Sequence, residues 1–246
     1  MKIVYSEHYG EDYWLGRKTY GPDRQTYHGP GLDWSFWEHI AKVLHALMPG
    51  VHTGLDVGCG GAGLAARMLG QGWEMYGADV SEYAVANCIE SMRERVACID
   101  LTTLPSELLS YHGKKVLPSV FDAVIATDFL EHIYEEDLDV VLRWLRARAD
   151  RFFFCIGTTA DPSRGTVAKD FSLRKGTPVP PEYEATAVAG HVNVRSFSYW
   201  TRKLQASGFN VEWEPMYQLQ RAREMSKPWR ETWGWHMGAT IMASSR

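Results

Sequence analysis

The chain has 246 residues, of which 45% are hydrophobic and 23% charged, a composition that suits one globular domain and excludes disordered, collagen-like and coiled-coil chains. The net charge is −4, so charge gives no support for nucleic-acid binding, and the four scattered cysteines form no CxxC pair, so neither a zinc site nor a disulfide framework is indicated. Because the longest apolar runs fall far short of the roughly 20 residues that cross a bilayer, we expect a cytoplasmic protein without a membrane partner.

The first 50 residues differ in character from the rest of the chain. Residues 1–35, the N-terminal arm, are rich in Tyr, Trp, Gly and Pro and have neither a helical nor a strand period. We expect this arm to gain order by packing, with Tyr9, Tyr13 and Trp14 as contacts of a lid over a ligand. An amphipathic helix is predicted over 36–47, ending before Pro49 and Gly50. Residues 1–50 are thus predicted to be a lid and a helix that precede a domain over 51–246.

From residue 53 onward, short apolar runs alternate with segments of helical period. Strands are predicted over 54–57, 74–78, 96–99, 121–126, 151–156, 209–213 and 236–242, and helices over 64–69, 83–93, 138–147 and 198–207, with a weaker candidate over 106–109. Strict alternation predicts a parallel α/β sheet with helices on both faces. A polar segment over 157–190, the insertion, interrupts the alternation, and we expect it to form a cap on the substrate side.

A glycine-rich loop follows the first predicted strand. Gly58, Gly60 and Gly63 satisfy the GxGxxG pattern, and Asp79 follows the second strand about 20 residues later, as in NAD-dependent oxidoreductases. Asp56 stands two positions before the first glycine and favours a different ligand. Its carboxylate would repel a pyrophosphate but would hold an ammonium group by a charge-assisted hydrogen bond. The loop therefore indicates an amino-acid nucleoside more than it indicates NAD.

This loop resembles the first motif of the class I, Rossmann-like S-adenosylmethionine-dependent methyltransferases of the small-molecule type. The segments GADVS at 77–81, DLTTLP at 100–105 and FDAVIATDFLEHI at 121–133 are similar to the next three motifs, and 191–209 is similar to the late H…GF segment. Together these motifs cover about residues 52–213. The resemblance implies a single doubly wound, mostly parallel sheet of seven strands, whose last strand runs antiparallel between its neighbours.

The resemblance also implies S-adenosylmethionine as the cofactor and a role for each motif residue. Asp56 and the backbone of 58–60 would hold the methionine end, Asp79 the ribose hydroxyls, and Asp100 with Leu101 the adenine. The complete set of expected cofactor contacts is Asp56, Gly58, Cys59, Gly60, Asp79, Val80, Asp100, Leu101, Thr127 and Tyr13. Cys59 is expected to fill space, because the sequence gives it no histidine or cationic neighbour that would activate a nucleophile.

Candidate catalytic residues follow the fourth strand, at the sheet edge where α/β proteins bind ligands. His132 or the later His191 could accept a proton from a hydroxyl acceptor, with Asp128 beside the transferred methyl group. Alternatively, Glu131 and His132 only orient the turn into the next helix. A further alternative is a metal-dependent methyltransferase that binds a divalent ion through Asp128, Glu131, His132 and His191. We favour metal-free transfer; a cofactor-binding protein without enzymatic activity also stays open.

The methyl acceptor is expected to be a small molecule with a hydroxyl or an amine. In the segment 219–230, Arg221, Arg223, Lys227 and Arg230 outweigh Glu224, which gives four positive charges against one negative, a local charge of +3. This segment would attract an anionic acceptor, such as a modified sugar or a natural-product intermediate, unless it is simply a solvated loop. The sequence indicates no particular oligomeric state.

Overall fold

A computed structural model describes residues 5–15, 34–103, 117–157, 170–183, 190–214 and 239–245. The weak helix candidate over 106–109 and the basic segment 219–230 lie outside the described residues. Within the described ranges, none of the helices is both long enough and apolar enough to cross a membrane.

The described elements follow the predicted alternation of strands and helices. The helices are α1 (Tyr5–His8), α2 (Glu11–Trp14), α3 (Trp34–Leu47), α4 (Gly63–Gly70), α5 (Glu82–Ala86), α6 (Glu135–Arg146) and α7 (Phe197–Ala206). The strands are β1 (Thr53–Val57), β2 (Glu74–Asp79), β3 (Val96–Cys98), β4 (Phe121–Thr127), β5 (Ala149–Ile156), β6 (Phe171–Ser172), β7 (Asn193–Val194), β8 (Phe209–Val211) and β9 (Ala239–Ser245). Short 3₁₀ turns cover Glu90–Met92, Leu130–His132 and Pro181–Tyr183.

Seven of these strands form one sheet in the order β3-β2-β1-β4-β5-β9-β8. The first five strands run parallel to one another, and β9 pairs antiparallel with β5 on one side and with β8 on the other. The predicted doubly wound sheet with an antiparallel last strand between its neighbours is therefore confirmed. β9 lies three residues further along the chain than its prediction, over Ala239–Ser245.

Helices cover both faces of the sheet, and alternate residues of β5 show how the faces are divided. Phe152 and Phe154 belong to the core cluster that α6 and α7 cover, whereas Phe153 belongs to the cluster beneath α3 and α4. All three phenylalanines are completely buried. Two apolar faces along one strand explain its nearly continuous hydrophobic sequence, because a strand covered on both sides has no solvent-facing positions.

One predicted helix is wrong in its length. A single helix over 83–93 is expected from the periodicity, but α5 ends at Ala86 and a 3₁₀ turn follows at Glu90–Met92. Between them, the Ile89 amide donates a hydrogen bond to the Gly61 carbonyl at 3.2 Å. This contact with the glycine loop redirects the chain, so a tertiary contact overrides the local helical pattern.

The described part of the insertion forms a small two-stranded antiparallel ribbon with the segment that follows it. β6 pairs with β7 through Phe171 and Val194, and the Leu173 amide donates to the Val192 carbonyl at 2.8 Å. Lys175 forms an ion pair with Asp137 of α6 at 2.9 Å. Because α6 begins just after β4 ends, this ribbon lies at the carboxyl edge of the sheet.

Candidate functional site

A cavity opens at the carboxyl ends of β1, β2 and β4, where the order of the parallel strands reverses. Open α/β sheets bind their ligands at such a reversal. The wall includes every predicted cofactor residue and two of the predicted catalytic residues: Tyr13, Asp56, Gly58, Cys59, Gly60, Asp79, Val80, Asp100, Leu101, Thr127, Asp128 and His132. His191 does not line the cavity but packs edge-on against His132, with ring centroids 4.8 Å apart.

The glycine loop forms the floor of this cavity, and two of its glycines are required by geometry. Gly58 and Gly60 have φ values of 71° and 51°, in the left-handed region that favours glycine. A Cβ atom on Gly58 would lie 2.8 Å from the ring of Phe129, and one on Gly60 would lie 2.6 Å from the ring of Trp14. The loop therefore keeps its backbone accessible only because neither position carries a side chain.

Asp79 holds the loop in this shape. Its Oδ2 accepts a hydrogen bond from the Gly60 amide and its Oδ1 one from the Ser81 amide, each at 2.8 Å. Burial raises the pKa of this carboxyl, and the backbone amides act in the opposite direction. Asp79 thus connects the turn after β1 to the turn after β2 and lines the cavity between them.

Asp56 has a different environment. Its side chain is only 2% exposed, and its Oδ1 has no hydrogen-bond partner among the described residues. Burial, together with the nearby charge of Asp79, raises the pKa of Asp56 to about 8. A buried carboxylate without a cationic partner is costly, so a ligand that brings a positive charge to Asp56 would relieve that cost.

Two further predicted contacts are explained by their surroundings. Burial raises the pKa of the Cys59 thiol well above its ordinary value, so Cys59 stays neutral and fills space instead of acting as a nucleophile. Asp100 accepts hydrogen bonds at Oδ1 from the amide of Thr102 at 2.9 Å and from its hydroxyl at 2.7 Å. These bonds form a tight turn after β3 and fix the Asp100 carboxylate in the cavity wall.

The described part of the N-terminal arm, residues 5–15, packs over the cavity. Trp14 donates its indole N–H to the Ser81 hydroxyl at 2.8 Å and to the Tyr9 carbonyl at 3.0 Å. The Ser81 hydroxyl in turn donates to the same Tyr9 carbonyl at 2.5 Å. Tyr9, Tyr13 and Trp14 all line the cavity, as the sequence predicts for lid contacts.

His132 lies in the cavity wall, within reach of the same arm. Its Nδ1 is 2.8 Å from the Tyr9 hydroxyl. Burial lowers the pKa of His132 to about 4, the nearby His8 acts in the same direction, and a hydrogen bond with the Gly190 backbone acts against both. The imidazole is therefore neutral at physiological pH and can accept a proton.

Glu131 takes part in a structural network beside His132. It is completely buried, its Oε1 accepts a hydrogen bond from the Gly157 amide at 2.6 Å, and its backbone carbonyl accepts one from the Val192 amide at 2.9 Å. These bonds tie the end of β5 and the start of β7 to the turn after β4. This arrangement favours the orienting role of Glu131 that the sequence left as an alternative.

The residues of the metal-dependent alternative come only partly together. One ligand atom each from Glu131, His132 and His191 lies within 4.8 Å of the others, whereas Asp128 is outside this group. Asp128 instead has a left-handed backbone with a φ of 49°, and its amide donates to the Cys155 carbonyl at 2.8 Å. A carboxylate and two imidazoles are a donor set that divalent transition metals accept, so this alternative requires an experiment.

Phe129 and Trp37 of the cavity wall, and Ser81 beside it, make contacts that the sequence does not predict. Phe129 and Trp37 line the cavity and contact the glycine loop at positions 58 and 63. Ser81 holds the arm through its hydroxyl and also caps α5, where its hydroxyl oxygen accepts a hydrogen bond from the Ala84 amide. A helix-capping serine two residues after Asp79 is a recognisable sequence signal, but its contact with the arm is not.

Comparisons with known proteins agree with the fold. The family model described as a methyltransferase domain matches residues 55–150. A search of curated proteins found no sequence match.

Three solved structures are similar to the chain. The magnesium protoporphyrin IX methyltransferase ChlM of Synechocystis PCC 6803, with bound S-adenosylhomocysteine, is 16% identical with a TM-score of 0.54, over 98% of this chain and 97% of that one. The N-terminal domain of EvdMO1, also with S-adenosylhomocysteine, is 13% identical with a TM-score of 0.55, over 92% and 90%. A phosphoethanolamine N-methyltransferase of Haemonchus contortus is 15% identical with a TM-score of 0.53, over 89% and 55%.

Proposed function

We propose that the chain is a class I S-adenosylmethionine-dependent methyltransferase that transfers the methyl group of S-adenosylmethionine to a hydroxyl or an amine of a small molecule. The methyltransferase-domain model that matches residues 55–150 supports this proposal. The seven-stranded fold, which is similar to that of the solved methyltransferase structures, also supports the proposal.

Asp56 is the observation that carries the proposal. Its carboxylate is buried in the cavity wall and its Oδ1 has no hydrogen-bond partner among the described residues. The α-ammonium of the cofactor's methionine part would supply the missing charge. A dinucleotide would bring a pyrophosphate to the same place, and that negative charge would add to the cost of ionising Asp56 instead of offsetting it. The electrostatics of the cavity thus favour the sulfonium cofactor over NAD.

The remaining cofactor contacts are assigned along the cavity. Asp79 would accept hydrogen bonds from the ribose hydroxyls, and Asp100 with Leu101 would bind the adenine. Tyr13 and Trp14 would cover the cofactor from the arm. Closing this cover excludes water from the sulfonium, which favours transfer to the acceptor over hydrolysis.

On the acceptor side, transfer requires alignment and the removal of one proton. The acceptor's oxygen or nitrogen attacks the methyl carbon, the bond from that carbon to sulfur breaks, and S-adenosylhomocysteine leaves with the electron pair on sulfur. For a hydroxyl acceptor, His132 would take the released proton. Burial lowers its pKa to about 4, which leaves the imidazole neutral but a weak base. Asp128 would orient the acceptor, and His191 would support the His132 ring from behind.

Two features of the chain support a class of acceptor. The ribbon formed by β6 and β7 lies at the carboxyl edge of the sheet and would form the cap over the acceptor. An anionic acceptor, such as a modified sugar or a natural-product intermediate, is favoured by the charge of the segment 219–230. The Haemonchus enzyme is in complex with phosphomonomethylethanolamine, a small molecule that also carries a phosphate.

Calorimetry with S-adenosylhomocysteine, S-adenosylmethionine and NAD tests the cofactor assignment. We expect micromolar binding of both sulfur compounds and no binding of NAD. A screen of small hydroxyl and amine compounds with methyl-labelled cofactor would then identify the acceptor. Binding of NAD in place of the sulfur compounds would contradict the proposal, and cofactor binding without transfer to any acceptor would favour a binding protein.

A further inference from the structure

The phenol of Tyr9 makes two polar contacts that together constrain the position of one proton. Its hydroxyl lies 2.8 Å from Nδ1 of His132 and 3.3 Å from the carbonyl oxygen of Gly190. A carbonyl oxygen can only accept a hydrogen bond, and a phenol has a single hydrogen to donate. When that hydrogen points to Gly190, the phenol oxygen accepts from His132, and Nδ1 must then carry the imidazole proton.

The reverse arrangement would make only one hydrogen bond. If Tyr9 donated to Nδ1, neither the phenol nor Nδ1 would have a hydrogen for the Gly190 carbonyl, which lies 3.3 Å from the phenol oxygen and whose residue makes a backbone hydrogen bond with His132. The series of hydrogen bonds from His132 through Tyr9 to Gly190 therefore favours the tautomer that is protonated at Nδ1. In this tautomer the lone pair of His132 is on Nε2, the ring nitrogen that Tyr9 does not contact.

The conformation and surroundings of Gly190 give independent support for these hydrogen bonds. Its φ is 83°, and a Cβ atom at this position would collide with the Tyr9 hydroxyl and would lie 2.9 Å from Nδ1 of His132. Only glycine therefore allows the phenol and the imidazole to approach the backbone here. Gly190 is the last residue of the insertion, so the insertion contributes the last hydrogen-bond acceptor.

Tyr9 also links His132 to Asp79, a residue that is proposed to bind the cofactor. Its backbone carbonyl accepts the hydroxyl of Ser81, and the Ser81 amide donates to Asp79, the residue assigned to the ribose. The backbone of Tyr9 is thus held by the cofactor side of the site while its side chain holds His132. One residue of the arm joins both halves of the cavity.

We infer that Tyr9 is a positioning residue: it fixes His132 in the tautomer with a proton on Nδ1, so that Nε2 is the atom that accepts the proton of the methyl acceptor. This inference rests on the proposed function, because it specifies which atom of the proposed base acts. It also makes the base dependent on the arm, since His132 has its orienting partner only when the arm covers the cavity.

Nitrogen NMR tests the tautomer without any acceptor. Long-range proton–nitrogen spectra of the ¹⁵N-labelled protein with S-adenosylhomocysteine distinguish a protonated from an unprotonated ring nitrogen, and the His132 signals are those that disappear in His132→Gln. We expect a protonated Nδ1 and an unprotonated Nε2 in the wild type, and a mixture of the two tautomers in Tyr9→Phe. A wild type protonated at Nε2 would overturn the inference, even if the variant did not fold.

The matched control is Tyr76→Phe. Tyr76 donates its hydroxyl to Glu74 at 2.7 Å and does not line the cavity, so its loss should leave the His132 spectrum unchanged. Both variants should bind S-adenosylhomocysteine within about twofold of the wild type. With an acceptor from the screen, Tyr9→Phe should lower kcat by about tenfold or more with little change in KM.

The outcomes separate this inference from the proposed function. A Tyr9→Phe variant with the wild-type spectrum and kcat would overturn the role of Tyr9 and leave the methyltransferase assignment intact. A wild type that binds no S-adenosylhomocysteine would overturn the proposed function, while the spectrum of the unliganded protein would still report the tautomer.

Discussion

Asp56 and Asp79 extend into one cavity from adjacent parallel strands, and the charge of Asp79 adds to burial in raising the pKa of Asp56 to about 8. The two carboxylates differ in their partners. Asp79 accepts hydrogen bonds from two backbone amides, whereas Asp56 Oδ1 has no hydrogen-bond partner among the described residues. The carboxylate that is proposed to bind the ribose therefore already has backbone partners, whereas the one that is proposed to bind the methionine ammonium keeps one oxygen without a partner among the described residues.

Binding of S-adenosylhomocysteine should release a proton from Asp56. At pH 6.5 the free protein carries the protonated acid, because its pKa is about 8, and the ligand's ammonium is charged, because an α-amino group has a pKa of about 7.7–8.0. Pairing with the ammonium requires the carboxylate, so about one proton should leave for each ligand bound. Calorimetry in two buffers of different ionisation enthalpy measures this number.

Asp56→Asn is the matched variant for this measurement. Its amide has no proton to release, so we expect weaker binding and nearly no proton release. An equal number of protons released by the wild type and the variant would show that another group titrates on binding.

The same substitution should stabilise the protein when no ligand is present. Because the pKa of Asp56 is raised from an unfolded value of about 3.9 to about 8, its contribution to stability is fully present below pH 3.9 and is lost as pH rises towards 8. Asp56→Asn removes this loss, so its melting temperature should exceed that of the wild type by an amount that grows from pH 5 to pH 8, to the order of 10 °C. A constant difference across this range would contradict the buried-carboxylate explanation.

Much of this site follows from the alternation of strands and helices. Once β1, β2 and β4 are placed, the residues after them must meet at one sheet edge, which is why Asp56, Asp79 and His132 could be predicted to lie together. The contact between Tyr9 and His132 could not be predicted, because it joins positions 123 residues apart and nothing in the arm's local pattern indicates it. The position of His191, which packs against His132 without lining the cavity, could not be predicted for the same reason.

Removing the Asp79 carboxylate should weaken cofactor binding in two ways. Asp79→Ala would remove the acceptor for the ribose hydroxyls and would leave the amides of Gly60 and Ser81 without their partner. We expect a loss on the order of 2 kcal/mol, roughly 30-fold in the dissociation constant of S-adenosylhomocysteine measured by calorimetry. Glu90→Ala, which removes an exposed carboxylate paired with Arg93, is the control. Unchanged affinity in Asp79→Ala would remove the ribose assignment.

Metal-free transfer predicts that a chelator has no effect. Prior incubation with EDTA should leave the rate of methyl transfer unchanged, and addition of Co²⁺ should produce no visible absorption bands from a protein-bound ion. The alternative predicts the reverse, with bands that require Glu131, His132 and His191, the three residues that lie together. Cobalt bands that disappear in His191→Ala would establish a metal site and make His132 a ligand instead of a base.

The anionic-acceptor proposal predicts a change in KM without a change in cofactor binding. Arg221 and Arg223 lie outside the described residues, so the prediction rests on the charge of their segment alone. The double substitution Arg221→Glu and Arg223→Glu should raise the KM of the acceptor, measured at low salt where screening is weakest, and leave the affinity for S-adenosylhomocysteine nearly intact. Equal KM values in the wild type and the double variant would contradict the anionic-acceptor proposal and leave the methyltransferase proposal intact.

The position of β9 between β5 and β8 determines the order in which the nascent chain can finish folding. Among the described strands, β8 pairs only with β9, so β8 has no place in the sheet until the ribosome has made the strand that follows it. Until then β5, with its three buried phenylalanines, keeps one edge without a partner. An open apolar edge invites pairing with other chains. We therefore expect nascent chains that stop before Ala239 to aggregate or to be held by chaperones, even though every predicted cofactor residue has already been synthesised.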